Sequence, residues 1–156
     1  MERRSRALVP AILSALLALI AQYLLGMAVN LFVTIPDNHP GAHAPEYFSG
    51  VVRSVTWAVL QGQVLVQLHA AFGLVLVIGS VYLLVQGIAT RQRGLITATV
   101  FGLVGTLGAG FNGGSYLIYH EDFSSMLMAA GFAVATVAYV FALYISLMRR
   151  PVWRAG

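Results

Sequence analysis

The sequence predicts an all-α membrane protein, an antiparallel bundle of four transmembrane helices with both termini on the cytoplasmic side. Three observations predict it. The chain is 59% hydrophobic and only 9% charged, too apolar for a soluble domain that must cover itself with polar side chains. Apolar runs of spanning length recur four times between short polar segments. Eight of the nine basic residues, all arginine, gather on one side of those runs. Cysteine is absent, which removes disulfides, thiolate nucleophiles, iron–sulfur ligation and cysteine-type zinc sites. A pI near 9.9 reflects this topology rather than nucleic-acid binding, because the arginines sit at segment ends with no interleaved aromatic patch.

The basic head MERRSR precedes the first helix, expected over about 7–35, with Pro10 tolerated in its first turn. A signal peptide is the competing reading, but the run far exceeds the roughly 7–15 residues of a signal h-region. An outer loop over 36–54 follows, IPDNHPGAHAPEYFSG with its flanks, where the density of proline and glycine cannot continue a helix. The second helix is expected over about 55–90, longer than the ~20 residues a span needs. Either it tilts and protrudes, or the residues from Glu46 to Leu60 start as an interfacial helix before the chain turns in. RQRG at 91–94 is a tight basic turn. Helix three is expected over 95–119, rich in glycines that suit close packing in a membrane. Helix four is expected over 123–148, opened by the turn HED and closed by the basic tail RRPVWRAG. One domain, 1–156, contains all four.

Arg3, Arg4, Arg6, Arg91, Arg93, Arg149, Arg150 and Arg154 fall on one side, against Arg53 with Asp37, Glu46, Glu121 and Asp122 on the other. The positive-inside rule therefore places the termini and the 91–94 turn in the cytoplasm, and the chain in a bacterial cell membrane as a multi-pass protein.

Polar positions align along the helices. Ser14, Ala18, Gln22, Gly26 and Asn30 recur every four residues in the first, and Gly108, Asn112, Tyr116 and His120 in the third. In the second, His69 lies on a seam with Gly62, Val66, Gly73, Leu76 and Ser80. A titratable side chain inside a span is costly and marks a candidate site. The plainer reading is a neutral imidazole hydrogen-bonded to a neighbouring helix.

The local sequence LHAAFGLV places Gly73 one turn after His69. A histidine followed four residues on by glycine, within an aliphatic transmembrane helix, resembles the haem-ligating helices of small b-type cytochromes, such as cytochrome b561-like proteins and the four-helix halves of haem A synthase. The resemblance implies haem b, axial ligation by paired histidines from two helices, and electron transfer. It carries over to His69, with His120 as the other helix-associated candidate. Helix four has no histidine, a departure from the haem A synthase pattern. If the second helix enters the bilayer at Trp57, His69 lies about 18 Å deep, too deep to share an iron with a rim histidine. If it enters near Gln63, the two come level.

Other residues offer chemistry of their own. His39, His43, His120, Glu121 and Asp122 are expected to face outward, and could hold copper with Met126 or Met128, or zinc with the carboxylates; a flexible polar loop is the alternative for the first two. Asn112 in FNGGSY either exposes backbone to a ligand or bonds across to another helix. Tyr116 shares its stripe. Arg53 and Trp57 suit an anchor at the outer interface, and Arg53 could pair with a haem propionate.

The expected function is thus a membrane haem protein passing electrons or hosting redox chemistry near the outer face, with a quinone or another redox partner. The alternative is a non-catalytic subunit of a larger membrane complex or a homo-oligomer. A transporter is disfavoured because no acidic residue lies within a span. No serine–histidine–aspartate set, phosphate loop or paired carboxylate supports soluble-enzyme chemistry, and whether the chain is an enzyme stays open.

Overall fold

The computed structural model describes residues 2–148, with side chains from residue 8 onward. The basic tail at 149–156 and the side chains of Arg3, Arg4 and Arg6 lie outside the described residues, so their expected placement does too. Five helices make up the described chain, with no strand among them: α1 (Glu2–Phe32), α2 (Tyr47–Leu60), α3 (Val64–Ala89), α4 (Arg93–Tyr119) and α5 (Asp122–Met148).

Four of the five, all but α2, are long and apolar enough to cross a membrane. Their outward positions carry large apolar side chains, among them Leu17, Leu24, Ile78, Val104 and Phe141, each more than half exposed. In water such a shell would be an enormous sticky patch, whereas in lipid it is the solvated surface. The chain is a multi-pass helical membrane protein.

The helix expected over 55–90 is two helices. Gln61 leaves helical geometry (φ −134°, ψ −9°) and Gln63 is extended (φ −59°, ψ 151°). Trp57 O accepts from both Gln61 N and Gly62 N, at 2.8 and 2.9 Å, closing the end of α2. Gly62 is the one glycine of the run that stands between two amides, in a stretch that holds no proline and, past Arg53, no charge. The interfacial alternative over Glu46–Leu60 therefore matches the structure. The 36–54 loop is correspondingly shorter, since its last eight residues already belong to α2.

The four long helices close a ring, α1 against α3, α3 against α4, α4 against α5 and α5 back against α1. Neighbours run antiparallel, as the paired positions show. Along α4 and α5, Gly94 faces Ile145, Gly102 faces Tyr139, Gly105 faces Ala135 and Gly113 faces Met128. Between α3 and α4, Gly87 faces Thr99, and Ser80 Oγ donates to Thr106 Oγ1 at 3.0 Å. The main core joins Leu8, Ile12 and Leu19 of α1 to Leu76, Leu83, Leu95 and Tyr139. A second cluster lies at the end that carries α2, where Ala58, Val66 and Leu117 pack with Val29, Val33 and Ala70.

Lipid tails give helices no hydrophobic reason to associate, so backbone approach and interhelical hydrogen bonds decide the packing. At Gly105 and Gly131 the backbones of α4 and α5 touch. A Cβ on Gly105 would lie 2.6 Å from Ala135 N and 2.7 Å from Gly131 O, and one on Gly131 would lie 2.7 Å from both Gly105 O and Ala109 N. Gly102 has given up its side chain to the ring of Tyr139. Gly108 and Gly110, by contrast, face open space.

Gly105→Ala should therefore lower stability by about 1–3 kcal/mol, the range for overpacking. Gly108→Ala should be neutral or stabilising by up to about 1 kcal/mol through helix propensity. Thermal unfolding of both variants in one detergent distinguishes them, and equal midpoints would contradict the backbone contact.

Candidate functional site

The polar residues gather in two places. The first is the seam between α1 and α3. His69, five residues past the start of α3 at Val64, lies about 7.5 Å along the helix from that end. Its half-buried ring packs on Gly26 of α1, where an added Cβ would come within 3.0 Å of the imidazole Cε1. Gln22, one turn before Gly26, donates from Nε2 to the His69 carbonyl oxygen at 3.0 Å. Gly73 makes room for that amide, since a Cβ there would lie 3.1 Å from Gln22 Nε2. The glycine one turn after the histidine thus faces a glutamine of α1. Two buried atoms of the seam make no hydrogen bond, His69 Nδ1 and Gln22 Oε1. One is a prospective donor and the other an acceptor.

The second place is the end of α4. Helix C-termini leave carbonyls unsatisfied, and at the level of a bilayer these need partners from the protein. His120 closes the helix in left-handed geometry (φ 54°, ψ 30°), its N–H donating to Tyr116 O at 2.8 Å. Two further donors come from the loop after α1. His39 Nε2 lies 2.9 Å from Leu117 O, and His43 N donates to Ile118 O at 3.2 Å. His39 is 5% exposed and stacks on Trp57 of α2 with centroids 4.3 Å apart and planes within 15°. A loop rich in proline and glycine is therefore pinned at its middle. His39 is a capping donor, held in place by the helix it caps and by the aromatic ring beneath it. Nothing in the pattern DNHPG distinguishes such a histidine from a solvated one.

His120 Nδ1 stands 3.6 Å from Asp37 Oδ1, an ion pair only when the imidazole is protonated, and its Nε2 is buried without a partner. The rings of His39 and Tyr116 flank it at 6.2 and 6.0 Å. Asn112 Nδ2 turns back on its own helix, donating to Gly108 O at 2.7 Å, rather than bonding across to another. Glu121 and Asp122 are exposed, Asp122 in the first turn of α5 where the helix dipole favours a carboxylate. His43 is exposed as well, and its left-handed backbone (φ 51°) serves the turn. Arg53 is exposed on α2.

Among the described residues no three histidine, aspartate or glutamate side chains converge on a common point that could hold a metal ion. His69, five residues into α3, and His120, which closes α4, lie at the same end of the bundle. The two do not share surroundings, however. His69 packs on Gly26 of α1, while His120 lies among Asp37, His39 and Tyr116. Val66 and Ala70 beside the one, and Leu117 near the other, belong to a single aliphatic cluster that fills the interior at this level.

Residues outside the expected set tie the same region together. Tyr47 OH shares a 2.8 Å hydrogen bond with Ser115 Oγ, joining α2 to α4. Deeper in the bundle, Ser80 and Thr106 form a buried hydroxyl pair faced by the Tyr139 hydroxyl, which has no hydrogen bond of its own. A serine and a threonine on neighbouring antiparallel helices were the available signal for that pair.

No protein-family model, curated protein or solved structure matches this chain.

His39→Ala removes a buried hydrogen bond and an aromatic stack, and should cost about 2–4 kcal/mol. Amide hydrogen exchange in 36–46 should accelerate together with exchange at His43, whose N–H reaches Ile118 O. Unchanged exchange there would show that the cap is not what holds the loop.

Proposed function

We propose that this protein is a subunit of a membrane redox system, supplying His69 as one axial ligand of a b-type haem near the outer face of the membrane. Supporting this is the seam geometry. An imidazole sits against bare backbone at Gly26, with its Nδ1 buried and unpartnered. Ligating histidines bond through one ring nitrogen and donate from the other to an acceptor. Gln22 Oε1, buried and unpartnered in the same seam, is of the chemistry to be that acceptor.

The fit extends to His69 and stops at His120. A haem held between the two would have to displace the aliphatic cluster around Val66 and Leu117. In this reading a second ligand would have to come from a second copy or another membrane subunit. The bound haem would supply one-electron chemistry at a potential set by its axial ligands. The chain's own part is to hold the imidazole: Gln22 ties α1 to the α3 backbone at His69, and Gly26 and Gly73 permit the close approach. The termini and the 91–92 turn lie in the cytoplasm by the positive-inside rule, which makes the α2 end the outer one.

A second reading, a non-catalytic subunit of a larger complex, is favoured by one observation: Gly73 is occupied by the Gln22 amide, so a packing role accounts for the histidine–glycine spacing without any cofactor.

An absorption spectrum of the purified protein, with and without dithionite, separates the two. Haem ligation requires a Soret band and sharp reduced α and β bands, lost in His69→Ala and kept in His120→Ala. A colourless, folded preparation that takes up no added haemin sinks the haem reading and leaves the packing one.

A further inference from the structure

α2 is too short to cross a membrane, about 21 Å over its 14 residues, yet it packs against α3 and α4 at their ends. Its inner face is small and buried, Gly50, Ser54 and Ala58. Its outer face carries Phe48, Val52 and Leu60, 65–69% exposed. Tyr47 meets Ser115, still within the spanning helix α4, so this face lies at membrane level, where its neighbours are lipids. Val52 also borders a shallow hollow lined with Pro40, Arg53, Thr56, Trp57 and Gln61.

The lining combines apolar walls with one guanidinium and three neutral hydrogen-bonding groups, those of Thr56, Trp57 and Gln61, and no carboxylate contributes to it. The one close contact between a basic and an acidic side chain among the described residues is elsewhere, at His120 and Asp37. Arg91 and Arg93 sit at the opposite end of the bundle, beside the α3–α4 turn. Arg53 is therefore the one arginine among the described side chains at the α2 end, and it stands over an apolar surface continuous with the lipid-facing one.

We propose that this hollow binds one anionic phospholipid of the adjoining leaflet, with its phosphate on Arg53 and its acyl chains along Val52 and Phe48. A phosphodiester offers two non-bridging oxygens that match the guanidinium fork. The Thr56 hydroxyl and the Gln61 amide can donate to the same group, and Trp57 is of the residue type that belongs at headgroup level. A zwitterionic headgroup would bring a cation into a lining that has no carboxylate to receive it, which selects the anionic lipid.

The chain has two tryptophans, so Trp153→Phe leaves Trp57 as the sole reporter within the hollow. Brominated phosphatidylglycerol titrated into the detergent-solubilised protein should quench Trp57 saturably. Arg53→Gln should raise the half-saturating concentration about tenfold, equivalent to one charge-assisted bidentate contact. Phosphatidylcholine carrying the same bromines should be similarly weak, and inorganic phosphate should not relieve the quenching. Arg53 is exposed, so its variant keeps the fold, and an unchanged unfolding midpoint verifies this. Equal quenching in Arg53→Gln overturns the proposal. Relief by inorganic phosphate overturns it in favour of a free-anion site, and exclusion of every brominated lipid overturns it in favour of a protein covering the face.

Discussion

The end of α4 is where the structure has least freedom. The last carbonyls of a helix have no partner within it, and at the buried end of α4 those of Tyr116, Leu117 and Ile118 receive their donors from His120, His39 and His43. Because two of those donors come from the loop after α1, the loop must lie across α4. Because His39 also stacks on Trp57, α2 must lie beneath it. α3 then begins at Val64, which puts His69 five residues past the start of its helix. One requirement, that buried carbonyls be bonded, thus propagates through a loop and a short helix to the only histidine inside a span.

Much of the architecture was legible because it rests on composition and length. Four apolar runs mark four long helices whichever way they pack. Glycine content likewise announced close approach, though not which glycines are used: Gly105 and Gly131 touch backbone, while Gly108 and Gly110 face open space, and the sequence writes all four alike. The split at Gln61–Gln63 was written more faintly, as one glycine between two amides in an apolar run.

The site was less legible, for a physical reason. His39 looked like a loop residue because its partners, Leu117 O and Trp57, are contributed by other segments, and a backbone carbonyl carries no sequence signature at all. The spacing of His69 and Gly73 was visible and its meaning was not. The glycine serves Gln22, which lies 51 positions earlier in the chain and had been placed on a polar stripe of its own. Gln22 and Gly26 of one stripe meet His69 and Gly73 of the other, and which residues meet is a tertiary fact.

The closed ring has a consequence for assembly. α4 and α5 are joined by two residues and meet backbone to backbone, so their pairing needs almost no loop closure and can form as soon as both are in the bilayer. α1 is made before both of its neighbours, α3 and α5. The ring therefore cannot close until α5 arrives. Until then the Gln22 side of α1, with its amide and its bare glycine, has only α3 to hold it against the lipid.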